Sequence, residues 1–232
     1  MDKKFQKIIV VGASRGVGAA VSEHMDSCTS ELITVSRSPS NFGNWIEADI
    51  STKAGIETVT RAVENSLDAL LYMGGTWETN AFTKEYSFER CSDEDIENVI
   101  AVNLLAPIRL VKSLLPALRQ SKNPKVIFMG ALSGLDNFPA PEVANTASKF
   151  GLRGVVHALR EELRKDRIAV TIINPGNIAT PEVLNDLKEA GQPETDAIPL
   201  SDLLRVIDCI LSLSRSTCIK EIQIPAMSAK GA

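Results

Sequence analysis

Apolar and polar positions along this chain of 232 residues alternate between two patterns. Short runs rich in Val, Ile and Leu read as strands: Lys7–Val11, Glu31–Ser36, Trp45–Ala48, Ala69–Met73, Lys125–Met129, Ala169–Ile173 and Glu221–Ile224. Several are apolar throughout, the pattern of strands buried on both faces of a sheet. Between them, apolar residues recur at helical spacing over Gly16–Asp26, Lys53–Asn65, Asp93–Gln120, Ala144–Lys165 and Ser201–Leu213. Ser92 followed by Asp95 opens the third helix with a capping signal, and Asn123-Pro124 breaks the chain before the next strand. Strand–helix alternation of this kind predicts an α/β fold, a doubly wound parallel sheet of Rossmann type in three α/β/α layers. No repeat or low-complexity linker divides the chain, so residues 1–232 are expected to form one domain.

Composition narrows the functional classes. Hydrophobic residues make up 44% and charged residues 23%, with a formal charge of -4, which gives no reason to expect nucleic acid or anionic lipid as a partner. The first residues, Met1 to Gln6, are polar, and no apolar run approaches the roughly 18 residues of a membrane span, so a cytoplasmic protein is expected. Cys28, Cys91, Cys209 and Cys218 lack metal-type spacing, which argues against a zinc site and against a disulfide framework.

Ligands of doubly wound sheets bind beyond the carboxyl ends of the strands. After the first strand the chain reads Gly12-Ala13-Ser14-Arg15-Gly16-Val17-Gly18, three glycines where the backbone turns into a helix. A side chain there would block a pyrophosphate from the helix N-terminus, so the turn reads as a dinucleotide site. An NAD site places Asp or Glu at the end of the second strand, whereas this chain has Ser36-Arg37-Ser38, with Arg15 in the glycine turn. Two guanidinium groups suit a 2′-phosphate, so NADP(H) is expected in preference to NAD(H).

The spacing Gly12-x-x-x-Gly16-x-Gly18 resembles that of the short-chain dehydrogenase/reductase family, and further matches run nearly the whole length. Asp49-Ile50 looks like the family's pair beside the adenine, and Asn103 like its active-site Asn. Ser148-Lys149-Phe150-Gly151-Leu152 resembles its catalytic helix, and the resemblance implies that Lys149 meets the nicotinamide ribose. Asn174-Pro175-Gly176-Asn177-Ile178-Ala179-Thr180 resembles the segment that holds the nicotinamide amide through Ile178 and Thr180. The segment at about 181–198 is expected to be a mobile lid over a small-molecule substrate. The family's pairing of long helices, with apolar Val99, Leu104, Leu105, Val155 and Val156 available, implies a homodimer or homotetramer.

Three departures bear on chemistry. The family's Asn-Asn-Ala-Gly is here Tyr72-Met73-Gly74-Gly75. Its catalytic Tyr stands four residues before the Lys, where this chain has Asn145, and its partner Ser falls at about Ala131, with Ser133 the nearest hydroxyl. A carboxamide cannot ionise and deliver a proton to an alkoxide. Losing general acid catalysis costs a factor of about 10²–10⁴. Tyr72 is a candidate substitute acid, although packing is its expected role, and Glu142, a turn before the catalytic helix, is a weaker candidate, because an exposed glutamate is the commoner case. His24 and His157 read as surface residues without a neighbouring carboxylate cluster. Three readings stay open: reduction of a C=N or activated C=C bond, a catalytically inactive NADP(H)-binding regulator or subunit, and a carbonyl reductase with a different proton donor.

Overall fold

A computed structural model describes residues 5–136, 138 and 140–228, so the polar Met1–Lys4 lie outside the described residues. Seven strands, β1 (Phe5–Val11), β2 (Thr29–Ser36), β3 (Asn44–Glu47), β4 (Ala69–Tyr72), β5 (Lys125–Met129), β6 (Ala169–Pro175) and β7 (Glu221–Ile224), form one sheet in the order β3-β2-β1-β4-β5-β6-β7. All six pairings are parallel, with Val11 beside both Val35 and Tyr72. The order reverses between β1 and β4, which places the crevice for a ligand at the ends of those strands.

The apolar runs are continuous because both sheet faces are covered. Alternate residues of the central strands divide between two cores. Ile9, Val11, Leu70, Tyr72, Val126 and Phe128 face α2 (Lys53–Arg61), α4 (Ala106–Gln120) and α5 (Val143–Glu162). Ile8, Val10, Leu71, Ile127 and Met129 face α1 (Gly16–Cys28) and α7 (Leu200–Ser212). At roughly 1.5–3 kcal/mol for each large apolar side chain fully removed from water, these two layers are the main source of stability.

The stretch 93–120 is interrupted. It runs as α3 (Asp93–Ile100), a π-helical turn Ala101–Leu105, then α4. By length and composition it could cross a membrane, but Leu110, Val111, Leu114 and Leu118 are packed against the sheet as a core helix. The sequence reading missed α6 (Pro181–Glu189), which lies inside the segment expected to be a lid. Its start is well signalled: Thr180 caps it by accepting the Val183 N–H at 3.3 Å, Pro181 occupies the first turn, and Glu182 suits the positive end of the helix dipole.

Candidate active site and dinucleotide site

Backbone proximity explains the glycines of the first turn. Gly12 has φ +83°, and a Cβ on it would come within 2.5 Å of the Gly74 Cα; one on Gly18 would lie 1.9 Å from the Gly12 carbonyl oxygen. The turn therefore packs directly on the end of β4 and on the start of its own helix. Gly16, at φ +54°, is open, with the Glu182 carboxylate oxygen 4.0 Å from the position its Cβ would take. No side chain caps α1 and its first turn carries no acid, so its leading N–H groups are free to meet an anion. Ser14 and Val17 are half-buried within this turn, while Arg15 and Arg37 are exposed. The donor set fits a dinucleotide pyrophosphate, with Glu182 as a charge that opposes it. Asp49 is exposed, and its Oδ1 accepts from the backbone and hydroxyl of Ser51 at 3.0 and 2.7 Å. Ile50 reaches across to Gly74.

Asn103 lies in the π-helical turn, a distortion that often marks functional positions. Its buried side chain is fully engaged: Oδ1 accepts the Thr76 N–H at 2.9 Å, and Nδ2 donates to the Thr76 carbonyl at 2.8 Å and to the Ser148 hydroxyl at 3.0 Å. Ser148 in turn donates to the Asn145 carbonyl at 2.6 Å. The Lys149 ammonium donates to the Met129 carbonyl at 3.2 Å and stands 3.6 Å from where a Cβ on Gly75 would be. Burial lowers this ammonium from 10.5 to about 8. Asn103, Ser148, Lys149, Gly75 and Thr76 thus form one cluster at the ends of β4 and β5. Ser148 was not read from the sequence as its hinge.

Asn145 occupies the first turn of α5, one turn before Lys149, and is 4% exposed. Ala131 is in extended backbone after β5, followed by a single 3₁₀ turn, Leu132–Gly134, that contains half-buried Ser133 and packs its Gly134 against Lys149. Tyr72 does not serve the cleft. It is fully buried in the helix-side core beside Phe128, its hydroxyl donates to the Val102 carbonyl, and burial pushes the phenol far above its ordinary range. Glu142, expected to be exposed, is 2% exposed and accepts the Phe82 N–H at 2.9 Å. His24 is half-buried and meets a single carboxylate, Asp208 of α7, at 2.9 Å, whereas His157 is exposed.

The N-terminus of α5 is capped by a segment distant in sequence. Tyr86 Oη accepts the Val143 N–H at 3.1 Å, and Glu78 Oε1 accepts those of Ala144 and Asn145 at 2.7 and 3.2 Å. Glu78 is 1% exposed, and its Oε2 is buried with no partner among the described residues. A lone Glu in a polar loop gives no sequence signal for this role.

Beyond β6, the Gly176 N–H bonds to the Ile224 carbonyl at 2.8 Å, and buried Ile178 bridges to Ile198. Pro175 and Thr180 are also buried, so Pro175, Gly176, Ile178 and Thr180 lie along one folded edge leading into α6. The segment 181–198 is itself folded, with Leu187, Ala197 and Ile198 buried.

A family model described as short chain dehydrogenase matches residues 6–190. The chain belongs to the short chain dehydrogenase family. Among curated relatives, a short-chain dehydrogenase/reductase of Penicillium canescens, olcF, is 28% identical over 191 residues, covering 78% of this chain and 72% of the relative. The 3-dehydrosphinganine reductase TSC10B of Arabidopsis thaliana is 28% identical over 211 residues, covering 84% of this chain and 61% of the relative. A metagenomic short-chain oxidoreductase solved in complex with NADP superposes with a TM-score of 0.76 at 24% identity, covering 94% of this chain and 96% of that one. A short-chain type dehydrogenase/reductase from Mycobacterium ulcerans reaches a TM-score of 0.82 at 15% identity, covering 96% of this chain and 88% of that one. These structural likenesses show the Rossmann-type fold of this short chain dehydrogenase.

Proposed function

We propose that this short chain dehydrogenase binds NADP(H) in preference to NAD(H) and reduces a C=N or activated C=C bond in a small molecule rather than a simple ketone. The observation that carries this reading is Asn145, buried one turn before Lys149, where the family resemblance puts a phenolic acid. The surrounding cluster of Asn103, Ser148 and Lys149 is kept, while the residue that would protonate an alkoxide is not. Bound NADPH would supply a hydride to the C=N carbon, and the π pair of an iminium then becomes the nitrogen lone pair without any proton being delivered; for an activated C=C bond the hydride would go to the β-carbon and the resulting enolate would take its proton from water relayed by Asn103 and Lys149.

In this reading Gly12, Ser14, Gly16, Val17 and Gly18 receive the pyrophosphate, Arg15 and Arg37 the 2′-phosphate, and Asp49, Ile50, Gly74 and Gly75 flank the adenosine and ribose side. Lys149 holds the nicotinamide ribose, Asn103 fixes the Thr76 backbone at the cleft, and Pro175, Gly176, Ile178 and Thr180 hold the nicotinamide end. Ser133 is the hydroxyl left near the vacated serine position, at Ala131. The segment 181–198 acts as the lid, and the Glu182 carboxylate facing Gly16 has to swing aside as phosphate enters. The chain works as one domain.

Two measurements test this. Calorimetry should show NADP(H) bound more tightly than NAD(H), with the preference reduced in Arg37→Ala. NADPH oxidation against ketones, imines and enones should find turnover only outside the simple ketones. Binding of NADPH with no turnover across the panel would instead make the chain a non-catalytic NADP(H)-binding subunit.

A further inference from the structure

The cleft mouth carries two features that the dinucleotide site does not use. The first is an exposed aromatic corner. Trp77 is 52% exposed and Phe82 63%, and their rings meet edge to face with centroids 5.6 Å apart. The corner is anchored to the cluster around Lys149. Thr76, directly before Trp77, has both its backbone groups bound by Asn103, and Glu78, directly after it, holds the Ala144 and Asn145 N–H groups. Burial alternates here, with Gly75 and Trp77 exposed and Glu78 buried. Trp77 directly follows Thr76, whose backbone is bound by the same Asn103 side chain that donates to Ser148, the neighbour of Lys149. Phe82 is held in left-handed backbone at φ +65°, unusual for a bulky residue, with its N–H taken by the buried Glu142 carboxylate. Such strain persists only where surrounding structure enforces it, and it is concentrated at functional sites.

The second feature is charge. Residues 73–97 contain seven acids against two bases, Lys84 and Arg90, and residues 181–198 contain five acids against one base, Lys188. The whole chain is only -4, so the rest of it is net positive and the negative charge is concentrated on the two segments that border the cleft. Of these acids, Glu78 keeps one carboxylate oxygen buried next to the aromatic corner with no partner among the described residues. A half-exposed indole and phenyl in a negative field make a surface that attracts a cation and repels an anion.

We propose that Trp77 and Phe82 form the recognition wall for a substrate that arrives as a small cyclic iminium cation, its positive nitrogen against the aromatic faces. This rests on the reading of the site as a C=N reductase and names the charge state of its substrate. It also accounts for the dispensable proton donor, since the charge that binds the substrate is the charge the reduction discharges.

The test separates binding from turnover. Calorimetry on the NADP⁺-loaded protein would compare N,N-dimethyltetrahydroisoquinolinium, a cation that cannot be reduced, with the neutral N-methyl-3,4-dihydroisoquinolin-1-one. The cation should bind about tenfold more tightly at low salt. That advantage should fall severalfold in about 0.5 M salt and in Trp77→Ala, with Trp77→Phe restoring part of it and NADP⁺ affinity unchanged in both variants. Equal affinity for the neutral lactam, or an unchanged cation affinity in Trp77→Ala, overturns the proposal. A parallel assay of NADPH oxidation with N-methyl-3,4-dihydroisoquinolinium reports on the reaction separately. Trp77-dependent cation binding without turnover sinks the C=N reading and leaves the cation site standing. Turnover without cation preference does the reverse.

Discussion

Asn145 and Lys149 sit one turn apart on α5, and the proposed chemistry turns on this pair. The sequence reading singled out both, because a fixed spacing from a lysine survives any uncertainty about boundaries. Packing is the expected role of Tyr72, and it holds; the burial of Glu142 is not legible, since its carboxylate is bound by the Phe82 backbone 60 residues away. If the proton donor is what carbonyl reduction lacks, Asn145→Tyr with Ala131→Ser should raise ketone reduction above wild type, measured as NADPH oxidation. The gain should stay below the full factor of about 10²–10⁴, because a phenol must be fitted where a 4% exposed carboxamide now packs. An unchanged ketone rate in a folded double variant would move the missing acid elsewhere. Lys149 makes a second prediction through pH. Its ammonium is lowered to about 8 when folded and returns to 10.5 when unfolded. Below pH 8 both states are charged and the burial penalty is fully present. Between pH 8 and 10.5 the unfolded chain binds the extra proton, so stability rises with pH. Above pH 10 the buried Tyr72 phenol, raised in the fold, acts in the opposite sense. Urea titrations should show the rise from pH 8 to 10 in wild type and a shallower one in Lys149→Met; equal slopes would place the ammonium in water.

At the scale of elements, β5 and β7 match the pattern reading residue for residue, and the other strands differ at their ends by one or two residues. Continuous apolar strands are legible because burial on both faces leaves no polar position to confuse them. The π-helical turn at Ala101–Leu105 is not legible, since it keeps the apolar periodicity of a helix while inserting a residue at Asn103. α6 escaped for a different reason: its polar, Gly- and Pro-bearing surroundings read as loop, although Thr180-Pro181-Glu182 is a full start signal. The capping of α5 from the β4–α3 segment is invisible because Glu78 and Ala144 lie 66 residues apart. Removing it should matter locally. Glu78→Ala leaves two buried N–H groups unpaired and should cost about 1–3 kcal/mol in chemical denaturation. Amide exchange should accelerate at Ala144 and Asn145 and stay slow in the middle of α5. Uniform acceleration along the helix would mean that Glu78 supports the fold globally and not the first turn.

At the scale of the whole molecule, the surface of this Rossmann-type fold carries the remaining expectation. Val99 and Val156, read as available for pairing, are fully buried within the chain, whereas Leu105 at 39%, Ile108 at 38% and Phe150 at 39% are exposed on α4, the turn before it and α5. These three should form the contact of a homodimer. Light scattering at micromolar concentration should give a dimer or tetramer mass, and Ile108→Glu with Phe150→Glu a smaller one; a monomeric wild type contradicts this. The central claim is that this cleft delivers hydride without the phenolic proton donor that a ketone's alkoxide needs. Stopped-flow single turnover of bound NADPH against two ring systems of one shape, N-methyl-3,4-dihydroisoquinolinium and 1-tetralone, tests it most directly. The account predicts rapid NADPH decay with the iminium, without a solvent isotope effect, and decay at least about 10²-fold slower with the ketone. Comparable rates for the two, with a solvent isotope effect on the ketone, would show a proton donor in the cleft and contradict it.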